Sequence, residues 1–176
     1  MTETTTMDLA AKIRDVPDFP EPGIVFKDIM PLLSDPAALH ESVERLAEWA
    51  EPRRPDLVLG AEARGFILGG ALANRLGCGF AAARRPGKLP ARTISASYAL
   101  EYGENSLEVH ADAFAGGARV LVHDDVLATG GTVKAILDLV EQLGGQVVGV
   151  EFLIELSFLS GRERLAGYDL HSLITY

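Results

Sequence analysis

The stretch Arg119-Val-Leu-Val-His-Asp-Asp-Val-Leu-Ala-Thr-Gly-Gly-Thr132 decides the fold. Its aliphatic run, Val120 to Val122, is typical of a short parallel strand buried on both faces. Two acids, Asp124 and Asp125, follow where we expect this strand to end, and a tight loop comes next. Apolar residues then recur at helical spacing, at Val133, Ile136, Leu137, Val140 and Leu143. The stretch therefore predicts a strand, a loop and a helix in succession.

The loop that opens this helix, Ala128 to Thr132, suits a phosphate monoester. A helix that begins on Thr-Gly-Gly-Thr offers unpaired backbone N–H groups, hydroxyls and the positive end of its dipole. Ligands of open α/β sheets bind beyond the carboxyl ends of strands, so Asp124 and Asp125 would hold ribose hydroxyls, Mg²⁺ or both. A solvated strand-to-helix loop is the alternative. The loop is no Walker motif, because Lys134 comes after the glycines on the helix.

The composition fits one compact α/β domain in a reducing compartment. The chain has 176 residues, of which 48% are hydrophobic, and a single cysteine, which fits the cytosol. A net charge of −9 argues against nucleic-acid and anionic-membrane partners. We see no signal peptide and no long apolar run, so we expect a cytoplasmic protein. Four cations nevertheless lie within nine residues and suggest a local anion site: Arg84, Arg85, Lys88 and Arg92.

The remaining elements can be predicted in chain order. Leu9, Ile13 and Val16 suggest a short helix that Pro17 ends, and Asp35-Pro36 predicts the N-cap of a helix that runs to Ala50. Strands are expected over 57–59, 80–83 and 147–156, with an edge strand within 167–176. A helix with small residues should follow Gly65, and residues 93–100 and 106–110 should form a hairpin. The segment 84–90 is either a solvated turn or a mobile, anion-seeking flap.

Several motifs resemble those of the type I phosphoribosyltransferases. The stretch from Arg119 to Thr132 is similar to the family's binding signature for 5-phosphoribosyl-1-pyrophosphate (PRPP). Three other segments are similar to the family's pyrophosphate loop, flap and closing turn: Glu62-Ala-Arg-Gly65, Ala96-Ser-Tyr-Ala-Leu-Glu-Tyr-Gly103 and Gly161-Arg-Glu-Arg-Leu165. Phe19-Pro-Glu-Pro-Gly-Ile-Val-Phe-Lys-Asp-Ile29 resembles the hood of the adenine-specific members, although a surface connector is the alternative.

The resemblance implies a fold and an assembly. We expect a single α/β domain over residues 1–176, with a mostly parallel sheet flanked by helices. It would comprise a small hood segment, 1–35, and a core, 36–176, which includes a flexible catalytic flap, 84–102. A homodimer is also implied, with the helix after Gly65 as a candidate contact. A cis peptide bond at Glu62–Ala63 would point two N–H groups at the pyrophosphate.

The implied activity is purine salvage, in which the 5-phosphoribosyl group of PRPP moves to adenine and gives AMP and pyrophosphate. The implied catalytic residues are Glu101, Arg84 and Lys88, with Arg85 and Tyr102 also on the flap. Glu101 would either exchange a proton with N7 of the base or only position it. Mg²⁺ would be held mainly through PRPP, and ligation by Asp124 and Asp125 stays open.

The other implied contacts divide by ligand group. The ribose and 5′-phosphate would be held by Asp124, Asp125, Ala128, Thr129, Gly130, Gly131 and Thr132. The pyrophosphate would meet Glu62, Ala63 and Arg64. The adenine would meet Val25, Phe26, Lys27 and Leu159.

Two residues depart from the family pattern, and two other functions compete. Lys27 stands where many relatives carry arginine, so a planar bidentate contact becomes a point charge. His123 precedes Asp124 where family strands usually carry an aliphatic residue. A 6-oxopurine phosphoribosyltransferase would share the PRPP half but not the hood. A PRPP-sensing regulator that binds nucleic acid would conflict with the acidic balance.

Overall fold

A computed structural model describes residues 7–99 and 104–176. It has nine strands: β1 (Arg14–Pro17), β2 (Val25–Asp28), β3 (Leu57–Ala61), β4 (Gly79–Ala83), β5 (Thr93–Ala99), β6 (Glu104–His110), β7 (Arg119–Leu127), β8 (Gln146–Glu155) and β9 (Leu170–Thr175). Its α-helices are α1 (Met30–Ser34), α2 (Pro36–Ala50), α3 (Gly65–Leu76), α4 (Gly131–Gln142) and α5 (Gly161–Arg164).

The centre of the molecule is a five-stranded parallel sheet in the order β4-β3-β7-β8-β9. Helices α2 and α3 pack on one face of this sheet and α4 packs on the other. Strand β7 lies in the middle, and its buried residues alternate between the two apolar clusters, with Val120 and Val122 on the α4 side and Leu121 on the α2 and α3 side. The predicted fold class, a mostly parallel sheet flanked by helices, is therefore confirmed.

Two antiparallel pairs stand apart from the central sheet. Strands β1 and β2 pair from Arg14–Asp28 to Pro17–Val25 and form the N-terminal hairpin. Strands β5 and β6 form the second hairpin, which contacts α4. Both hairpins can border a site at the carboxyl ends of β3 and β7.

Most local predictions are confirmed by the structure. The Asp35 carboxylate accepts hydrogen bonds from the backbone N–H groups of Ala37 and Ala38, as an N-cap of α2 should. Helix α3 begins at Gly65, and β9 is an edge strand. The chain between β5 and β6 includes residues 100–103, which lie outside the described part, so the predicted turn there stays a prediction.

Two local predictions are wrong. The short helix expected from Leu9 to Val16 is a 3₁₀ turn, Ala10–Lys12, followed by β1, because residues 14–17 pair with β2 instead. Strand β7 also does not end at Asp124 but continues to Leu127. It does so because β8 keeps pairing with it, Val126 opposite Ile154 and Leu127 opposite Glu155.

Among the residues that the structure describes, no helix is long and apolar enough to cross a membrane.

Candidate active site

A cavity of about 530 Å³ lies beyond the carboxyl ends of β3 and β7. Six segments surround it: the N-terminal hairpin, the loop after β3, the residues after β4, the start of β6, the end of β7 with the loop that follows, and the residue after β8. The lining residues are Ile24, Val25, Phe26, Lys27, Glu62, Ala63, Arg64, Arg85, Asn105, Ser106, Leu107, Asp124, Asp125, Val126, Ala128, Thr132 and Leu156. This is the position at which open α/β sheets bind ligands.

The two acids of β7 meet a cation across this cavity. The backbone N–H of Asp125 donates to Oδ1 of Asp124 at 2.8 Å, and Arg64 Nε lies 2.6 Å from Oδ2 of Asp125. Burial raises the pKa of Asp124 well above its usual value, and the neighbouring Asp125 carboxylate raises it further. Burial also raises the pKa of Asp125, while Arg64 opposes that change. Two adjacent carboxylates held out of water this way are suited to hydroxyl groups or a hard cation.

Next to the acids lies a second, smaller cavity of about 60 Å³, formed by the loop from Asp124 to Val133. Gly130 adopts the left-handed conformation, with φ of 79°, and α4 begins at the next residue. Thr129, Gly130 and Gly131 line this cavity, and Thr132 lines both cavities. The start of a twelve-residue helix thus faces an open space of phosphate size, as the Thr-Gly-Gly-Thr motif predicted.

The closing turn, which begins at Gly161, packs closely against this loop. A Cβ added at Gly161 would overlap the carbonyl oxygen of Ala128 and lie 2.9 Å from Cδ1 of Leu127. A Cβ at Gly130 would in turn lie 2.8 Å from the carbonyl oxygen of Gly161. The two backbones therefore approach as closely as they do only because both residues are glycines.

We expect Gly161→Ala to displace the phosphate loop. The overlap should cost about 1–3 kcal/mol of unfolding free energy, and the KM for PRPP should rise because Ala128 moves. Gly79→Ala is the control, since a Cβ there meets only ordinary contacts at 3.5 Å or more. Urea unfolding and steady-state kinetics would measure both effects. Equal behaviour of the two variants would contradict this role of Gly161.

The loop after β3 contains the predicted cis peptide bond between Glu62 and Ala63, which confirms that prediction. The Glu62 carboxylate accepts a hydrogen bond from the backbone N–H of Arg85 at 2.8 Å and one from Nη2 of Arg84 at 3.2 Å. These hydrogen bonds lower the pKa of Glu62, the one from the Arg85 backbone most strongly. Glu62 therefore joins the pyrophosphate loop to the first residues of the flap segment.

Of the cations on the predicted flap, the one that lines the cavity is not among those implied to be catalytic. Arg85 lines the cavity, whereas Arg84 pairs with Glu62 and donates from Nη1 to the carbonyl oxygen of Lys88 at 3.0 Å. Lys88 is exposed. The structure thus does not bring Arg84 and Lys88 to the cavity wall, and their catalytic roles stay predictions. Glu101 and Tyr102 lie outside the described residues.

The N-terminal hairpin forms the wall opposite the acids. Val25, at the start of β2, is 49% exposed and faces the cavity. The Phe26 ring packs edge-on against Phe19 at 5.2 Å, and the Arg64 guanidinium lies 5.0 Å from its centre. Lys27 also borders the cavity, but its ammonium group lies 2.7 Å from Asp15. The hairpin that carries the hood-like motif thus meets the loop after β3 through Phe26 and Arg64.

The ammonium group of Lys27 further lies 3.8 Å from the centre of the Tyr176 ring. It is therefore engaged in holding the hairpin against the end of the chain. Leu159, at the end of a 3₁₀ turn, is 39% exposed and does not line the cavity, whereas Leu156 does. Strand β8 ends at Glu155, so the chain leaves the cavity wall directly after Leu156. The predicted adenine contacts of Lys27 and Leu159 stay predictions.

Sequence reasoning missed several lining residues, namely Ile24, Asn105, Ser106, Leu107, Val126 and Leu156. Ile24 and Val126 carried a signal, since they lie within the hood motif and the Arg119–Thr132 stretch respectively. The others reach the cavity through pairing between distant segments, such as β5 with β6. His123, which departs from the family pattern, is fully buried and lines neither cavity. Burial lowers its pKa to about 4, so the ring is neutral at pH 7.

Comparisons with known proteins agree with this geometry. The model of the phosphoribosyl transferase domain matches residues 34–168, and the chain belongs to that family. Among its relatives, the adenine phosphoribosyltransferase of Symbiobacterium thermophilum is 58% identical over 170 residues, which span 97% of this chain and 100% of the relative.

Solved structures of the same family share the fold. The adenine phosphoribosyltransferase of Thermoanaerobacter pseudethanolicus is 54% identical and superimposes with a TM-score of 0.93, covering 96% of this chain and 98% of its own. The Saccharomyces cerevisiae enzyme, solved with an imino-altritol bisphosphate and adenine, is 34% identical with a TM-score of 0.90, covering 94% and 96%. The fold is therefore that of the type I phosphoribosyltransferases.

Proposed function

We propose that this enzyme transfers the 5-phosphoribosyl group of PRPP to adenine and releases AMP and pyrophosphate. The observation that carries the proposal is the cavity between the N-terminal hairpin and the central sheet, together with the smaller cavity beside it. Asp124 and Asp125 line the first cavity, the loop from Ala128 to Thr132 lines the second, and Val25, which is 49% exposed, lines the first at the wall opposite the acids. Relatives at 54–58% identity over almost the whole chain are adenine phosphoribosyltransferases, which supports adenine as the base.

Breaking the bond between C1′ and the pyrophosphate oxygen determines what the site must supply. Positive charge develops on the ribose ring and negative charge on the departing pyrophosphate. Arg64 and the backbone N–H groups around Ala63 would bind the pyrophosphate, a role supported by their position with Arg85 on the cavity wall. Asp124 and Asp125 hold the ribose hydroxyls, and the loop from Ala128 to Thr132 holds the 5′-phosphate.

The acids also fit a magnesium ion. Their carboxylate oxygens are the hard donors that Mg²⁺ prefers, and within the described ranges no cluster of three or more such side chains offers a complete protein site. Two carboxylates therefore match an ion whose other ligands come from PRPP. Bound there, Mg²⁺ would neutralise charge on the pyrophosphate and ribose oxygens.

The flap is the second part of the proposal. Residues 84–102 would close over the bound substrates and bring Glu101 to the base, because water must be kept from the ribosyl centre. Lys88 would move with this segment toward the pyrophosphate, and the side chain of Arg84 would turn toward it while the Arg84 backbone stays in place. The backbone bridge between Arg84 and Glu108, at 2.9 and 2.7 Å, and the contact of Glu62 with Arg85 would act as its fixed base.

We expect hydrogen exchange in residues 84–99 to slow when PRPP, Mg²⁺ and an adenine analogue bind together. Residues 57–61 of β3 serve as the internal control, since they lie in the central sheet and four of the five are buried. Glu101→Gln should lower kcat if Glu101 transfers a proton. Exchange that ligands leave unchanged would contradict the closing flap, whereas unaltered turnover of Glu101→Gln would contradict only the proton transfer.

We also propose a homodimer in the cytoplasm. Ile67, on the helix that we expected at the interface, is 45% exposed, and Phe80 on β4 is 42% exposed, so both side chains offer apolar surface for a contact. Sedimentation at micromolar concentration should give the mass of two chains. A fully active monomer would contradict the dimer without affecting the assigned reaction.

Product analysis tests the proposed reaction. With PRPP, adenine and Mg²⁺, AMP and pyrophosphate should appear in equal amounts. Omission of PRPP or adenine should abolish both products. Release of pyrophosphate without AMP would show hydrolysis of PRPP and contradict the transfer.

A further inference from the structure

A row of polar side chains, two of them buried and one half-buried, crosses the sheet behind the active-site acids. His123 on β7 is the register partner of Glu151 on β8, and Glu151 is the register partner of His171 on β9. The side chains of His123 and Glu151 are both 0% exposed. Within residues 7–99 and 104–176, neither ring nitrogen of His123 and neither carboxyl oxygen of Glu151 has a hydrogen-bond partner. Buried polar groups are costly unless they are paired, so these two side chains call for an explanation.

The row lies on the same face of the sheet as α3. Side chains alternate along a strand, so His123 points to the same face as Asp125, two residues further on. A Cβ at Gly69 of α3 would lie 3.6 Å from Cδ2 of His123, and one at Gly65 would lie 3.2 Å from its carbonyl oxygen. The imidazole therefore fills the space between β7 and α3. The helix that it supports follows directly after Arg64, the residue that pairs with Asp125.

We propose that His123 and Glu151 are positioning residues, which hydrogen-bond to each other across β7 and β8 and so set the spacing between Arg64 and Asp125 for PRPP. The Nδ1 of His123 and Oε1 of Glu151 are 4.0 Å apart, so an approach of about 1 Å brings them to hydrogen-bond distance. This hydrogen bond fixes the orientation of the imidazole ring. The ring orientation in turn sets the distance between β7 and α3 at Gly69. This inference rests on the proposed phosphoribosyl transfer.

The pairing also accounts for the departure at His123. An aliphatic residue at this position would fill the space under α3 without needing a partner. A histidine fills it only if its ring nitrogen is paired, and Glu151 is the buried side chain in register with it. His123 and Glu151 should therefore behave as one unit, so that replacing both is less harmful than replacing one.

Kinetics of the full-length protein with adenine, PRPP and Mg²⁺ test the proposal. Glu151→Ala leaves the imidazole unpaired, and we expect the KM for PRPP to rise roughly tenfold or more while the KM for adenine stays within about twofold. Glu151→Gln keeps a hydrogen-bonding group and should stay close to the wild type. His123→Val combined with Glu151→Ala should recover most of the PRPP affinity lost in Glu151→Ala.

The matched control is Leu121→Ala. Leu121 lies on the same strand and face as His123 but two residues further from the acids. It should lose stability without a change in the KM for PRPP. The proposal is overturned if Leu121→Ala and Glu151→Ala raise this KM equally, or if Glu151→Gln is no better than Glu151→Ala.

A spectroscopic measurement is independent of activity and of the variants' kinetics. In ¹⁵N-labelled wild-type protein, the imidazole signals of His123 should show one ring nitrogen in a fixed hydrogen bond, and Glu151→Gln should shift that signal. A His123 ring with no hydrogen-bonded nitrogen would overturn the pair, even if the Ala variant fails to fold. If the wild type forms no AMP at all, the proposed function is contradicted. The imidazole signal does not depend on that result and still tests the hydrogen bond.

Discussion

Replacing Asp124 and Asp125 together by asparagine is expected to lower kcat/KM for PRPP by roughly 10²- to 10⁴-fold. Hydrogen bonds to charged groups contribute about 1.5–3 kcal/mol each, so the loss of two costs about 3–6 kcal/mol of transition-state stabilisation. The same change also removes the two carboxylates that fit Mg²⁺. Steady-state kinetics over a range of PRPP and Mg²⁺ concentrations would measure the loss.

The free energy of unfolding should not fall in this variant. Burial raises the pKa of Asp124, which means that its ionised form is disfavoured in the folded protein relative to the unfolded chain. Such a group weakens stability progressively as the pH rises through its folded pKa. Asparagine has no ionised form, so the unfolding free energy at pH 7–8 should be equal to or above that of the wild type.

The matched control, Asp112→Asn with Asp138→Asn, removes two other carboxylates, which lie at the surface. Asp112 is exposed, and Asp138 pairs with Lys134 on the outside of α4. This control should keep normal turnover, since surface pairs contribute little. Near-normal turnover of the Asp124 and Asp125 variant, or wild-type activity after complete removal of divalent ions, would contradict the proposed grip on the ribose.

Replacing Val25 by proline is expected to abolish the use of adenine. Adenine presents an amino donor next to an acceptor nitrogen, and one extended residue presents a backbone C=O next to an N–H. Pro17, the register partner of Val25, has no N–H, so it cannot donate a hydrogen bond to the carbonyl oxygen of Val25. Val25→Pro deletes the N–H that adenine needs. The change should be tolerated structurally, because Val25 is the first residue of β2, where proline is accepted.

Val25→Ala is the control for this prediction, since it keeps both backbone groups. It should leave the preference for adenine over hypoxanthine largely unchanged, while Val25→Pro should lose adenine turnover with little change in PRPP binding. Adenine and hypoxanthine kinetics, with PRPP binding by calorimetry, would separate these effects. Adenine turnover retained in a folded Val25→Pro protein would show that side chains, not this backbone, read the base.

Local signals in the sequence were sufficient for much of the fold. The periodicity after Thr132 predicted α4, and Asp35-Pro36 predicted the start of α2, because both depend on residues within one or two turns. The site could be predicted where ligand contacts come from one continuous motif, as in the phosphate loop and its two acids. The structure brings these residues together at one cavity and places Arg64 beside Asp125.

Features that depend on pairing between distant segments could not be read from the sequence. Strand β7 extends past its acids only because β8 continues beside it, and residues 14–17 form a strand only because β2 is available. The engagement of Arg84 by Glu62, 22 residues earlier, likewise has no local signal. The same holds for Glu151, which becomes visible as the partner of His123 only once the register of β7 and β8 is known.

The ratio of kcat/KM for adenine to that for hypoxanthine, measured on the wild-type protein with PRPP and Mg²⁺, tests the central claim most directly. The 6-oxopurines meet the Val25 backbone acceptor to acceptor and donor to donor. Each mismatch costs roughly 1–3 kcal/mol, so the ratio should be about 10² or more in favour of adenine. Comparable values for the two bases would contradict the assignment and favour a 6-oxopurine phosphoribosyltransferase.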